Sequence, residues 1–449
     1  MMIAMLTGVS GSSAATINVT TTIDEFETGN RCSLREAVWS ANNDSVASAP
    51  GCRAGSGRDK VIVPSGTFNL KQKNRSPEPV EGGPVGEVPA FEDLGETGDL
   101  DLTAPVTVIH GGTNLATIDS RVSNERVFHV LSEGVTIQGL TITGGQASEA
   151  DDDHGGGILN EGGLTLRSSL LLRNSATYGG GLSTAGTSSA IVSNTTISDN
   201  GADEDGGGIS VETGGTVSLR SATVADNLAD ADGSGGGDGG GVFASTSADG
   251  GVLDLRNSIV AANADSGDEA DDCAKLGGTI TSLGRNLLSN ANGCEYEQGR
   301  GDIINRKAEM LPLRYNGGPT ETHALKTISP AVNKATSCPP KDQRGVQRTG
   351  KCDIGAWELS YCQGAVINRI GTEDADLLTG TTGRDGILGL GGQDTLRGIG
   401  GNDGLCGGNG PDVLEGGAGK DNCLDARARD TVVKCELPKK KKPKKQQRR

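Results

Sequence analysis

Aromatic side chains are nearly missing from this chain. Its 449 residues include five Phe, two Trp and four Tyr. One large mixed core needs more bulk than that, so the chain is either disordered or built from repeats with a tight turn at each period. No CxxC pair occurs among the cysteines, which argues against a structural zinc site. Past the N-terminus no stretch reaches membrane-spanning length, so the mature chain is expected to be soluble, with no transmembrane segment. Basic charge is scarce outside one place. The net charge is −17, yet residues 439–449 hold eight of the Lys and Arg side chains, which leaves −25 on the rest. So acidic a body argues against nucleic acid as a partner and for multivalent cations.

Glycine and cysteine are plentiful instead. The 72 glycines fit repeats with a turn in every unit. Ten cysteines, an even number, predict disulfides and hence an oxidising compartment. Sequence neighbours are expected to pair: Cys32 with Cys52, Cys273 with Cys294, Cys338 with Cys352 and Cys423 with Cys435, leaving Cys362 and Cys406 as a fifth pair. Residues 1–8 are apolar, and Ser13-Ala14-Ala15 reads as a small-x-small cleavage site, so residues 1–15 are expected to be a signal peptide. No positive residue precedes the apolar run, which a misplaced start codon explains.

Residues 16–75 read as an N-terminal cap. Ser33 and Glu36 form a capping box, and Leu34, Ala37, Val38 and Ala41 share one helical face. A short helix to about Ala41 is expected, then strands over residues 60–63 and 67–70. The run Cys32-Ser33-Leu34-Arg35-Glu36-Ala37 resembles the eponymous motif of the CSLREA-domain family of bacterial exported proteins. That resemblance implies a parallel β-helix and a surface location, and no reaction.

Residues 76–99 read as a Pro/Gly/Glu-rich loop, and residues 100–300 as the coils. Glycine triplets begin at Gly155, Gly179, Gly206 and Gly239, each followed by an apolar residue: Ile158, Leu182, Ile209 and Val242. Leu166, Val192, Leu219 and Leu255 each lie eight positions before Asn174, Asn200, Asn227 and Asn263. Constant spacing inside the block and variable loops outside it are how stacked coils behave. Asparagines at one turn are expected to bond along the axis as a ladder. The fold class is all-β: a right-handed parallel β-helix with an N-terminal helical cap and a C-terminal parallel β-roll. Arg167, Arg220 and Arg256 recur at one outward position, as a solvated face or a surface for an acidic polymer. The acidic turns at residues 151–153 and 203–205 read as flexible loops, with calcium as the sharper alternative.

Residues 301–358 contain Asn316-Gly317-Gly318-Pro319, Ser329-Pro330-Ala331-Val332-Asn333, Asp342-Gln343-Arg344-Gly345 and Cys352-Asp353-Ile354-Gly355-Ala356-Trp357-Glu358. These segments resemble the choice-of-anchor Q region found at the end of such β-helices. Asn333 stands where that family more often has Asp. The residues themselves predict a loop-rich second cap, with Trp357 closing a core and with Asp342, Arg344, Asp353 and Glu358 as an ion-pair network rather than a catalytic group.

After a linker at residues 359–370, aspartates recur every nine residues through residues 371–425: Asp376, Asp385, Asp394, Asp403, Asp412 and Asp421. Gly383, Gly392, Gly401, Gly410 and Gly419 stand two before the last five. Leu378, Ile387, Leu396, Leu405, Leu414 and Cys423 stand two after each. This resembles the glycine-rich nonapeptide of RTX-type calcium-binding proteins, which implies Ca2+ held by these aspartates and glycines. Asp374 replaces the first glycine. Two nonapeptides per coil put Asp376, Asp394 and Asp412 on one side and Asp385, Asp403 and Asp421 on the other. Stacked carboxylates repel, so this part is expected to fold only with calcium. Residues 426–449 hold Cys435 and a basic tail expected to be disordered.

A secreted or cell-surface bacterial protein follows, with calcium ions as partners and an envelope or extracellular polysaccharide as the further candidate. Acids concentrate in turns, while coil strands are mostly Leu, Val, Thr and Ser. A non-catalytic adhesion or structural module is therefore expected, against the alternative of a polysaccharide lyase or glycoside hydrolase.

Overall fold

The computed structural model describes residues 14–26, 30–46, 51–72, 98–147, 153–245, 250–267, 272–423 and 430–435. The expected signal peptide, apart from residues 14 and 15, most of the expected 76–99 loop, Asp151 and Asp152, and the basic tail lie outside them. The chain divides into two compact units. One comprises Met1–Leu313, Thr322–Gln343 and Gln347–Glu358, the other Arg314–Glu321, Arg344–Val346 and Leu359–Arg449.

The first unit is a parallel β-helix. Its longest-stranded sheet runs Thr16–Asn18, Asp59–Val63, Val106–His110, Val135–Gln138, Gly163–Arg167, Ser189–Ser193, Thr216–Arg220, Val252–Arg256 and Thr279–Ser282. A second sheet runs from Gly66–Asn69 to Ile303–Ile304, and a third from Leu100–Leu102 to Cys273–Lys275. Among the described residues a fourth sheet of two-residue strands runs from Gln146–Ala147 to Ala264–Asp265.

Alternation sets what faces inward. In Gly163–Arg167, Leu164 and Leu166 are buried while Arg167 is exposed. The expected registers hold: Leu166, Val192, Leu219 and Leu255 stack, and so do Ile158, Leu182, Ile209 and Val242. The glycine triplets have two distinct uses. Gly155, Gly179, Gly206 and Gly239 take φ of 64°, 66°, 68° or 70°, where a Cβ is strained. A Cβ at Gly156 would strike the carbonyl of Ser175 on the next coil.

Two polar ladders run along the axis. Asn174, Asn200 and Asn227 each donate through Nδ2 to Oδ1 of the next asparagine, ending at Asn263, at 2.9 Å per step. Each Oδ1 also accepts a backbone N–H, as Asn200 does from Asn174. Asn263 donates to Asp272 at 3.1 Å, so a carboxylate ends the ladder. A second ladder, not anticipated, joins Ser169 to Thr195 and, after a break at Ala222, runs from the Ala222 amide through Ser258 and Asn286 to Asp302. It too ends at a carboxylate, which can accept but not extend.

The N-terminal cap contains the expected short helix. The helix Leu34–Asn42 starts with the predicted capping box, Ser33 and Glu36 each taking the other's backbone N–H. Arg35 is wholly buried; its Nε meets Asp24 at 2.9 Å, and its two terminal nitrogens donate to the carbonyls of Asp99 and Gly98. All five expected disulfides are present, with Cα separations from 4.5 to 6.6 Å.

Residues 323–343 and 347–356 do not close the coil end as expected. They lie along the outer face of the second sheet. Ser198 bonds His323, Thr196 donates to Gln343, Gln343 donates to the Ser169 carbonyl, and Ala356 donates to Thr223. Outward-facing Leu170, Thr196, Ser198, Thr223 and Ile259 are thereby buried. The outer face of this sheet is thus a packing surface.

The second unit is a parallel β-roll. One sheet orders Tyr361–Cys362, Ala365–Ile370, Gly386–Gly391, Gly404–Asn409 and Asn422–Cys423; the other orders Leu377–Thr379, Thr395–Arg397, Val413–Glu415 and Thr431–Val433. The roll therefore begins inside the expected linker and extends past residue 425. Ala365–Ile370 pairs with Gly386–Gly391, and Thr431–Val433 with Val413–Glu415. These terminal strands keep the parallel pairing without the complete nonapeptide.

Candidate metal centre

The nine-residue period places its aspartates where expected. Asp394 and Asp412 accept, through Oδ1, the backbone N–H of Asp376 and Asp394, each at 2.9 Å. Asp403 and Asp421 do the same for Asp385 and Asp403. Between the two stacks lie Ile387, Leu396, Leu405, Leu414 and Cys423, all buried, with Leu378 and Cys435 against them.

Each aspartate has a second oxygen, and here the turns differ. Oδ2 of Asp376 accepts from the amide and hydroxyl of Thr372, and Oδ2 of Asp385 from those of Thr381. Oδ2 of Asp394, Asp403, Asp412 and Asp421 is buried with no hydrogen-bond partner. An anionic oxygen in that condition costs several kcal/mol unless a cation is near. Burial, then the neighbouring aspartates, pushes Asp394 and Asp403 up to about 6.

Backbone oxygens converge on the same places. A Cβ at Gly389 would strike both Oδ2 of Asp394 and the carbonyl of Gly407. One at Gly398 would strike Oδ2 of Asp403 and the carbonyl of Gly416. These cradle glycines stand five before each aspartate, at 371, 380, 389, 398, 407 and 416. That second period of nine is as legible in the sequence as the first. The glycines two before each aspartate sit at the turns. Gly392, Gly401, Gly410 and Gly419 take φ of 105° to 142° and lie against the carbonyl of the preceding coil, whereas Gly383 lacks a positive φ. Asp430 also continues the stack, its Oδ1 accepting from Asp412 at 2.9 Å. Ala428 replaces its glycine, which hid the unit.

The other candidates are placed as follows. Arg167, Arg220 and Arg256 are exposed in one column with Ser193 between the first two, and none makes an ion pair among the described residues. In the acidic turns, burial above all lifts Asp205 to about 6, with Asp238, Glu204 and Glu212 adding to it. Asp342, Asp353 and Glu358 are buried as structural acceptors. Asp342 takes the Glu358 amide at 3.0 Å, Asp353 the Asn333 amide at 2.6 Å, and Glu358 pairs with Arg348 at 2.8 Å. Arg348 was not foreseen in that role. Arg344 belongs to the second unit, donating to the carbonyls of Asn316 and Ile367. No helix among the described residues is long and apolar enough to cross a membrane. The chain matches no protein-family model, no curated protein and no solved structure in comparison.

Proposed function

We propose that the roll binds calcium and that the chain is an exported, non-catalytic surface or adhesion module. The observation that carries the calcium reading is the set of four buried, unbonded carboxylate oxygens on Asp394, Asp403, Asp412 and Asp421. Calcium takes six to eight oxygen ligands, carboxylate and carbonyl alike, and the cradles at Gly389 and Gly398 supply both kinds. Asp376 and Asp385 are already satisfied by Thr372 and Thr381, so the metal set narrows to the later turns. Magnesium fits poorly, because it demands tighter octahedral geometry. Five disulfides support export to an oxidising compartment. The resemblance of residues 32–37 to the CSLREA motif supports a bacterial surface location, and the repeat of residues 371–425 supports kinship with RTX-type proteins.

Calorimetric titration of the chelated full chain with calcium tests this reading. Saturable binding below millimolar calcium is expected, weakened when Asp394 and Asp403 are both changed to Asn. No heat up to millimolar calcium would refute it.

One observation favours a polysaccharide lyase or hydrolase as a second reading. A pocket of about 570 Å3 beside the coils is lined by Asp226, Lys307, Glu309, His323 and Lys326. Its Glu309 is held by Lys326 at 2.9 Å, and its His323 by Ser198 and the Leu311 carbonyl. Product release from a panel of acidic polysaccharides would favour this reading over the first.

A further inference from the structure

The outer face of the third sheet carries a cluster unrelated to the roll. Asp99 and Asp101 flank Leu100, and His129 stands beside Asp101 on the next coil. All three are buried, and one ligand-capable atom from each lies within 4.8 Å of the other two. Glu161, after the strand Ile158–Asn160, approaches from the following coil.

The two nitrogens of His129 face two carboxylates. Nε2 is 3.0 Å from Glu161 Oε2, a hydrogen-bond distance. Glu161 can only accept when ionised, so Nε2 carries the ring hydrogen. Nδ1, the other ring nitrogen, stands 3.5 Å from Asp101 Oδ1. That separation is long for a hydrogen bond. It does match an edge of a coordination shell: two ligands about 2.1 Å from one metal, at a tetrahedral angle, stand about 3.4 Å apart. A carboxylate on the far nitrogen is also what metal-bound histidines commonly have, since it fixes the tautomer. Asp99 is oriented by Arg126, whose Nη1 meets its Oδ2 at 3.0 Å and whose Nε and Nη2 are anchored on the carbonyls of His154 and Gly155.

We propose that Asp99, Asp101 and His129 bind one divalent transition-metal ion of the size of Zn2+, with Glu161 positioning His129. An imidazole nitrogen beside two carboxylates suits zinc, cobalt or manganese better than calcium or magnesium. The ion ties Leu100–Leu102 to Phe128–Val130 at the N-terminal coils, next to the carbonyls of Gly98 and Asp99 on which Arg35 is anchored. This site is independent of the calcium reading, because none of its residues belongs to the nine-residue period.

The test uses the full chain, stripped with chelator and then held in saturating calcium, titrated with Co2+. One equivalent should produce a visible absorption band that Zn2+ abolishes. His129→Ala and Asp101→Asn should each remove the band. Glu161→Gln, at a half-exposed position that leaves thermal unfolding unchanged, should weaken binding about tenfold or more. Asp403→Asn in the roll should leave the band untouched. Three outcomes would overturn the proposal: no band in the unaltered chain, a band that survives both His129→Ala and Asp101→Asn, or a His129 ring that is a doubly protonated imidazolium at neutral pH and does not respond to Zn2+.

Discussion

In the β-helix Asn174, Asn200, Asn227 and Asn263 stack at one turn, and in the roll Asp376, Asp394 and Asp412 stack at another. Both columns pass a backbone N–H to the next side chain, at 3.0 or 3.1 Å in the first and 2.9 Å in the second. They differ by one group. The asparagine amide donates onward and so satisfies itself, while the aspartate carboxylate can only accept. The second oxygen of the roll's inner aspartates is therefore left over. Stacking identical residues gives an autonomous ladder when the side chain both donates and accepts. It leaves an unpaired anionic oxygen, the place we propose for calcium, when the side chain only accepts.

Exchanging the two chemistries tests that contrast most severely. Asn200→Asp removes donations to Asn227 Oδ1 and to the Leu171 carbonyl and sets an anion against Oδ1. A loss of about 3–5 kcal/mol is expected in denaturant unfolding of the β-helix, as for an uncompensated buried charge, and calcium should not restore it. The reverse exchange, Asp403→Asn, acts in the opposite direction. It should raise the calcium-free stability of the roll by about 1 kcal/mol, one hydrogen bond's worth, and weaken calcium binding in calorimetry. An Asp403→Asn variant less stable than the unaltered chain without calcium would break the comparison.

Proton dependence sharpens it further. Asp394 and Asp403 titrate near 6 in the fold, against about 3.9 in an unfolded chain. A raised carboxyl favours the fold while protonated. Calcium-free stability should thus be fullest below about pH 4 and fall as pH rises through about 6. Stabilisation by calcium should grow over the same interval, since calcium takes the ionised form. Thermal unfolding from about pH 4 to 7 with and without chelator measures both slopes, and a flat chelator curve would contradict the assignment. The smallest effect concerns one turn. Ile399 takes φ of 76° where the equivalent position one repeat on is Gly408. It is also 48% exposed, so Ile399→Gly relieves strain at little cost in burial and should stabilise the roll by at most about 1 kcal/mol.

Legibility followed periodicity. The asparagine ladder, the roll's stacks and the strand registers could be read because stacking repeats a residue type at a fixed interval. The capping box was readable because its two bonds are local. The packing of residues 323–343 and 347–356 along the second sheet was not, because it depends on single contacts such as Ser198 to His323 that leave no period. Outward Thr196, Ser198 and Thr223 look solvent-facing in a strand pattern whether covered or not. The broken ladder between Ser169 and Asp302 was hidden for a related reason: Ser169, Thr195, Ala222, Ser258, Asn286 and Asp302 share no one residue type. Asp99, Asp101 and His129 meet only because neighbouring strands pair in that register.

Hydrogen exchange on the full chain, in chelator and then in millimolar calcium, tests the central claim most directly. The account predicts that amides in residues 158–261 are equally protected in both conditions, whereas those in residues 386–423 gain protection only with calcium. Roll amides as protected in chelator as in calcium would contradict it.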